Sequence, residues 1–173
     1  MIRSLVLGAL AAGLITPALA HVTLESQEAK VGGGYKAVPR VPHGCSGSAT
    51  TSIRVKVPEG VIGVKPMPKP GWTLATSTGK YPKTYKLFHA ELNEGVTEIG
   101  WSGGNLPDDW YDEFVFTGFL SGDLEAGKTL YFPVVQECEK GVNRWIEIPA
   151  AGKSRSDYPE PAPELKLLPA AAK

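Results

Sequence analysis

His21 follows Ala18-Leu19-Ala20, a small-x-small pattern of the kind that signal peptidases cut. Cleavage there makes His21 the first residue of the mature chain. An N-terminal histidine offers a metal two nitrogens from one residue, its α-amine and its Nδ1, which together close a six-membered chelate ring. The unperturbed pKa values, about 7.7–8.0 for the amine and about 6.5 for imidazole, let both lose their protons near neutral pH. Nitrogen donors in a square or T-shaped plane suit Cu(II), which heads the divalent affinity order, so copper is the expected cofactor.

The other two histidines are His43 and His89. His43 lies in Val41-Pro42-His43-Gly44-Cys45, at the end of an expected strand and two residues before one of the two cysteines, Cys45 and Cys138. In an exported chain such a pair most simply forms a disulfide. For so long a loop it stabilises by about 4–5 kcal/mol on the chain-entropy account. A thiolate metal site is the alternative, disfavoured by the lack of a CxxC. A Cys45–Cys138 bridge would pin the His43 turn to the strand Leu130–Cys138. A second imidazole held near the N-terminal strand would then complete a three-nitrogen copper site, a histidine brace. His89, in Phe88-His89-Ala90-Glu91, reads as an ordinary exposed residue. Met67 reads as packing in a Pro-rich turn, and Asp108, Asp109, Asp112 and Glu113 as a solvated acidic loop. Glu25 and Glu28 lie near His21 in sequence, but neither is singled out as a ligand. Trp72, Trp101 and Trp110 read as core or turn packing.

The segment ahead of His21 has the order of an export signal. Arg3 gives a positive start, Leu5 to Ile15 an apolar stretch, and Thr16-Pro17 a break before the cleavage pattern. The apolar stretch is shorter than the roughly 20 residues of a membrane span. No later segment is long and apolar enough to be one. The reading is therefore a signal peptide at 1–20, a domain at 21–150 and a Pro/Ala-rich tail at 151–173. It places the protein in a bacterial periplasm with no membrane span after cleavage. The formal charge is zero, and losing Arg3 leaves it one unit negative. Basic and acidic residues are mixed along the chain, which argues against nucleic acid as a partner.

The elements that must position these residues are strands. Ile53, Val55 and Val57 alternate with Ser52, Arg54 and Lys56; Leu130, Phe132 and Val134 share a face that continues to Gln136 and Cys138; Phe114, Phe116, Gly118 and Leu120 form another. Weaker candidates are Val22–Ser26, Tyr35–Val41, Val61–Pro66, Trp72–Thr76, Lys83–Leu87, Thr97–Ser102 and Asn143–Ile148. Between them stand turn sequences such as Pro58-Glu59-Gly60, Asn93-Glu94-Gly95 and Glu125-Ala126-Gly127. About eight to ten short strands at this spacing predict an all-β fold, an antiparallel β-sandwich of the immunoglobulin or fibronectin III kind with one disulfide. Pro159, Pro161, Pro163 and Pro169 cannot donate to a sheet ladder, so the last segment reads as an extended or disordered tail.

Several of these pieces, in order, resemble the YcnI-like family of exported copper-binding domains. They are His21-Val22-Thr23, Tyr35 to Pro42, Arg54 to Val61, Pro66-Met67-Pro68-Lys69-Pro70-Gly71-Trp72, Ile99-Gly100-Trp101-Ser102-Gly103-Gly104, Glu113-Phe114, and Phe132 to Gly141 followed by Trp145. The resemblance implies a β-sandwich that binds Cu(II) through the N-terminal histidine. It also implies a glutamate just after a strand of the Tyr35–Val41 type and a late tryptophan beside the metal. Carried onto this chain, the histidine is His21 and the tryptophan is Trp145. The glutamate has no counterpart; Pro42-His43-Gly44-Cys45 stands there, so His43 is the candidate replacement. That exchange makes the site richer in nitrogen and less negative by one charge.

The expected function is a periplasmic Cu(II)-binding protein, a copper chaperone or sequestration factor. Its partners would be the copper ion and periplasmic or membrane copper-transport proteins. The alternatives are a metal-free protein-interaction sandwich and a histidine-brace copper oxidase of polysaccharides. An oxidase needs a flat exposed face around the metal, and no repeated exposed aromatic pattern flanks His21 or His43 in sequence. No Ser-His-Asp, Gly-rich phosphate loop or paired-carboxylate motif stands out, so the chain does not read as an enzyme.

Overall fold

A computed structural model describes residues 21–171; the expected signal sequence at 1–20 lies outside the described residues. The strands are β1 (Thr23–Leu24), β2 (Glu28–Lys30), β3 (Gly34–Ala37), β4 (Pro39–Val41), β5 (Thr50–Lys56), β6 (Val61–Pro66) and β7 (Thr73–Leu87). They continue with β8 (Ala90–Leu106), β9 (Asp112–Glu113), β10 (Phe116–Leu120), β11 (Thr129–Tyr131), β12 (Val134–Cys138), β13 (Val142–Trp145) and β14 (Glu164–Leu168). A single turn of 3-10 helix, Arg155–Asp157, is the only helical element among the described residues.

One layer is a five-stranded sheet in the order β13-β12-β5-β8-β7. Its inward side follows the period-2 pattern of the sequence: Ile53 stands opposite Trp101 and Gln136, and Val55 opposite Ile99 and Val134, all fully buried. The facing layer is built on two antiparallel pairings, β3 with β10 and β4 with β9. These keep one common register, with Ala37 opposite Phe116 and Arg40 opposite Glu113, so they act as one ladder interrupted at Val38. β1 adds to the β4 end of this ladder, and β6 adds to β10. Ala37, Val41, Phe114, Phe116 and Leu120 turn inward from this layer and close the core against the five-stranded sheet. The expected sandwich is observed, and the three clearest alternating runs of the sequence supply its inner faces.

Two expectations need correction. The chain does not end as an extended tail: β14 lies between β11, antiparallel, and β2, parallel, and Leu165 and Leu167 are core residues. The prolines flank this strand without entering its ladder, and Pro163 uses the group a proline retains, its carbonyl, to accept from the Phe132 amide at 2.8 Å. The short alternation Leu165-Lys166-Leu167 outweighs the composition around it. The second correction concerns Asn93-Glu94-Gly95, which is not a turn. β7 and β8 form one long hairpin reversing at Phe88-His89, and Gly95 pairs with Gly79 within it. A Cβ on Gly95 would collide with the Tyr81 phenol, so glycine there serves close packing and not chain reversal.

Cys45 and Cys138 are bonded, with Cα atoms 6.0 Å apart and a sequence separation of 93. The bond joins the turn after β4 to the end of β12, and so ties one layer to the other.

These observations give two stability predictions. Leu165→Ala should cost about 2–5 kcal/mol in denaturant unfolding, as for a core leucine; a loss below about 0.5 kcal/mol, typical of a surface position, would remove β14 from the core. Reducing the disulfide should cost about 2–5 kcal/mol, read as a drop in the unfolding midpoint under reducing conditions.

Candidate functional site

The antiparallel pairing of β1 with β4, Thr23 opposite Arg40, carries the chain start and the exit from β4 to the same end of the sheet. His21 is two residues before the paired Thr23, and His43 is two past the end of β4. Val22 and Val41 between them are fully buried and anchor both approaches. After His43 the chain reverses at once: Cys45 and Ser48 exchange backbone hydrogen bonds of 2.9 and 3.1 Å, and Ser46 and Gly47 both have positive φ, the primed turn that suits a two-residue hairpin. Gly44 is obligatory here, because a Cβ would run into the Ser48 carbonyl. The disulfide holds this turn against β12.

Both histidines meet Trp145, which is 5 % exposed. The His21 ring centroid lies 5.7 Å from the indole, tilted at 58°, and the His43 centroid 6.2 Å from it, edge-on at 74°. The structure thus brings together His21, His43 and Trp145, and the Cys45–Cys138 bond ties down the turn that carries His43. His89 sits apart, at the β7–β8 reversal. Among the described residues, no three His, Cys, Asp or Glu side chains form a metal-binding group. A nitrogen-rich site at this place would therefore have to draw its third donor from the α-amine of His21.

The surroundings of the two rings differ in what they fix. His43 Nδ1 lies 2.6 Å from the Gly44 carbonyl, which can only accept, so the hydrogen sits on Nδ1 and the neutral ring presents its lone pair at Nε2. Burial holds the His21 imidazole below its ordinary value of 6.5, with further depression from the Arg155 and His43 charges. Arg155 comes from the segment after residue 150 and donates from Nη2 to the Val22 carbonyl at 3.0 Å. Its Nε is buried without a partner, and so is His21 Nε2. The nitrogen that chelates together with an α-amine is Nδ1, so a site using the orphaned Nε2 instead would not need a free N-terminus.

Gln136 was visible in the sequence as a member of an inward face, with no role attached. It is fully buried and all four hydrogen-bonding positions of its amide are engaged. Nε2 donates to the His43 carbonyl at 2.6 Å and to Thr50 Oγ1 at 2.8 Å. Oε1 accepts from Trp145 Nε1 at 2.9 Å and from Asn143 Nδ2 at 3.4 Å. A polar residue continuing the apolar alternation of Leu130, Phe132 and Val134 is the signal that could have marked it.

The acidic loop is only partly a solvated loop. Asp112 pairs with Lys69 at 2.6 Å, and Glu113 with Arg40 at 3.1 Å, which also holds Glu25 at 3.0 Å. Trp110 is not packed: it and Tyr111 are 64 % and 63 % exposed. Trp101 is core, its Nε1 donating to the Met67 carbonyl at 3.0 Å, and Trp72 packs edge-on to Phe114.

A family model described as "Domain of unknown function (DUF1775)" matches residues 21–167. The chain belongs to that family, which is the YcnI-like family. A solved structure titled "Crystal structure of an uncharacterized protein from Nocardia farcinica reveals an immunoglobulin-like fold" is similar at 27 % identity, with a TM-score of 0.62, covering 87 % of this chain and 99 % of that one. The immunoglobulin-like fold is thereby shared. No curated protein matches the chain.

The His21 environment predicts its titration. The imidazole should titrate below 6.5 by NMR, and an α-ammonium on the same residue pushes the same way. Because the folded value lies below the unfolded one, this group's contribution to stability is complete above pH 6.5 and is lost as pH falls through the folded value. Arg155→Gln should move the midpoint upward; an unmoved midpoint would remove Arg155 as a cause.

Proposed function

We propose that this chain is exported to the periplasm, trimmed to His21, and binds one Cu(II) as a chaperone or sequestration factor. The donor set is the His21 α-amine and Nδ1 with the His43 Nε2, and Trp145 packs against both imidazoles. The observation that carries this reading is the convergence of His21 and His43 on one buried indole. Neutral nitrogen donors in this number suit Cu(II) over harder cations. The local chemistry fits: the His43 contact with the Gly44 carbonyl selects the tautomer whose Nε2 carries the lone pair, and burial lowers the pKa of the His21 imidazole. Bound Cu(II) would be cargo to be passed on or withheld, and we read the protein as a carrier and not an enzyme. Its partners would be copper-transport proteins of the periplasm or membrane.

Protein beginning at His21 should take up one Cu(II) with a tetragonal, nitrogen-rich electron paramagnetic resonance spectrum. Placing one glycine before His21 removes the amine–Nδ1 ring and should weaken binding at least tenfold; unchanged affinity would show that the amine is not a ligand. His43→Ala should lose one nitrogen from the hyperfine pattern, and an identical spectrum would exclude it. Reductant-dependent oxidation of chitin or cellulose by the loaded protein would overturn the carrier reading in favour of a copper oxidase.

A further inference from the structure

We infer that Gln136 is the positioning residue of this site, fixing the His43 main chain and the Trp145 indole relative to each other through one amide group. The inference rests on the copper reading above. The orientation of the amide is set by its neighbours: the Trp145 indole N–H can only donate and so requires Oε1, and the His43 carbonyl can only accept and so requires Nε2. No other side chain can replace this pattern at the same length, since it needs two donors and an acceptor face on one planar group. Leucine, methionine or valine at this position would continue the apolar face of β12 but leave the His43 carbonyl and the buried indole N–H unsatisfied. Carboxylate would serve Trp145 and repel the His43 carbonyl. The remaining partners, Thr50 and Asn143, lock the amide itself, and Asn143 also reaches the Gly44 carbonyl at 3.4 Å. The amide thus lies between the two elements that deliver the imidazoles' shared neighbourhood: the turn after β4, which carries His43, and β13, which carries Trp145. His21 meets the same indole, so a displaced Trp145 ring would move the packing surface of both histidines.

The test compares protein beginning at His21 with its Gln136→Met and Gln136→Glu variants, and with Ile62→Ala as a destabilised control. Ile62 is a buried residue of β6 paired at the far end of the β3–β10 ladder. Each is titrated with Cu(II), and the nitrogen hyperfine pattern is recorded. Without copper, the Trp145 indole N–H and the His43 ring protons are followed by NMR. Loss of a polar partner behind a ligand typically costs 10- to 100-fold in metal affinity. Gln136→Met should raise the Kd by that factor, weaken the His43 hyperfine coupling and shift the copper-free His43 ring resonances, while Ile62→Ala leaves all three unchanged. Gln136→Glu, which keeps the shape and the acceptor for Trp145, should retain the indole shift yet lose His43 coupling, and it carries the test if the methionine variant does not fold. Wild-type affinity and hyperfine pattern in both Gln136 variants would overturn the inference and leave the copper reading standing. An equal loss in Ile62→Ala would overturn it too, by showing general destabilisation. No Cu(II) uptake by the parent protein would overturn the copper reading and this inference with it.

Discussion

The bond between Cys45 and Cys138 is a covalent tie between two layers whose facing surfaces are otherwise held by side-chain packing and a few side-chain hydrogen bonds. It falls where β4 has just left its ladder and β12 is ending, next to two further ties between the same segments: the Glu139 amide donates to the Ala49 carbonyl at 2.9 Å and the Lys140 amide to Ser48 Oγ at 2.8 Å. Everything near His43 follows from that placement. The turn from Cys45 to Ser48 is closed by its own hydrogen bonds, but these fix only its internal shape. The disulfide, together with the Glu139 and Lys140 amide bonds, fixes where that shape sits against β12, where the Gln136 amide meets the His43 carbonyl at 2.6 Å. A buried amide with every position satisfied is strongly directional, because each lost partner leaves a group that water cannot reach. The covalent staple and the polar network therefore reinforce each other: one sets the approach, the other sets the angle.

The electrostatics around His21 are less obvious, since a cationic guanidinium stands near a group proposed to bind a cation. Arg155 repels a proton as well as a metal ion, and the proton is the competitor always present. A depressed imidazole pKa favours the unprotonated, ligating form, and a metal held by several nitrogens would recover through coordination what the nearby charge removes. Arg155 has a second task that is independent of charge balance: its Nη2 holds the Val22 carbonyl and so the main chain next to His21.

The sandwich was legible because its inner faces obey the simplest pattern a strand can show, as in Ile53-x-Val55 and Phe114-x-Phe116. The disulfide was legible from two cysteines in a chain read as exported. His21 and His43 were singled out because one follows a cleavage pattern and the other precedes a cysteine, and the structure brings both rings to Trp145. Three things were not legible. Gln136 could be placed on the inward face of β12, but its role exists only where β12, β13 and the His43 turn meet. Arg155 and Leu165 lie in a segment whose proline content argued for a tail, although those prolines stand outside the ladder that Leu165 joins. Asn93-Glu94-Gly95 has turn composition, but the long β7–β8 pairing overrides it, and glycine is required there for the Tyr81 ring.

The ends of a chain are ordinarily its least ordered part, and a terminal residue makes a poor ligand if binding must first immobilise it. In this fold the residues after His21 are pinned three ways. Val22 is fully buried, its carbonyl is held by Arg155, and Thr23–Leu24 pair with β4. One of those anchors comes from a turn some 130 residues later in sequence, at a separation of 133. The segment that carries it is itself secured by β14 in the core, inserted between β2 and β11. The last strand thus helps to fix the first residue of the described chain. If His21 is terminal and binds copper as proposed, a residue held in this way gives up little conformational freedom on taking up the metal, and that prior ordering adds to what its two nitrogens offer.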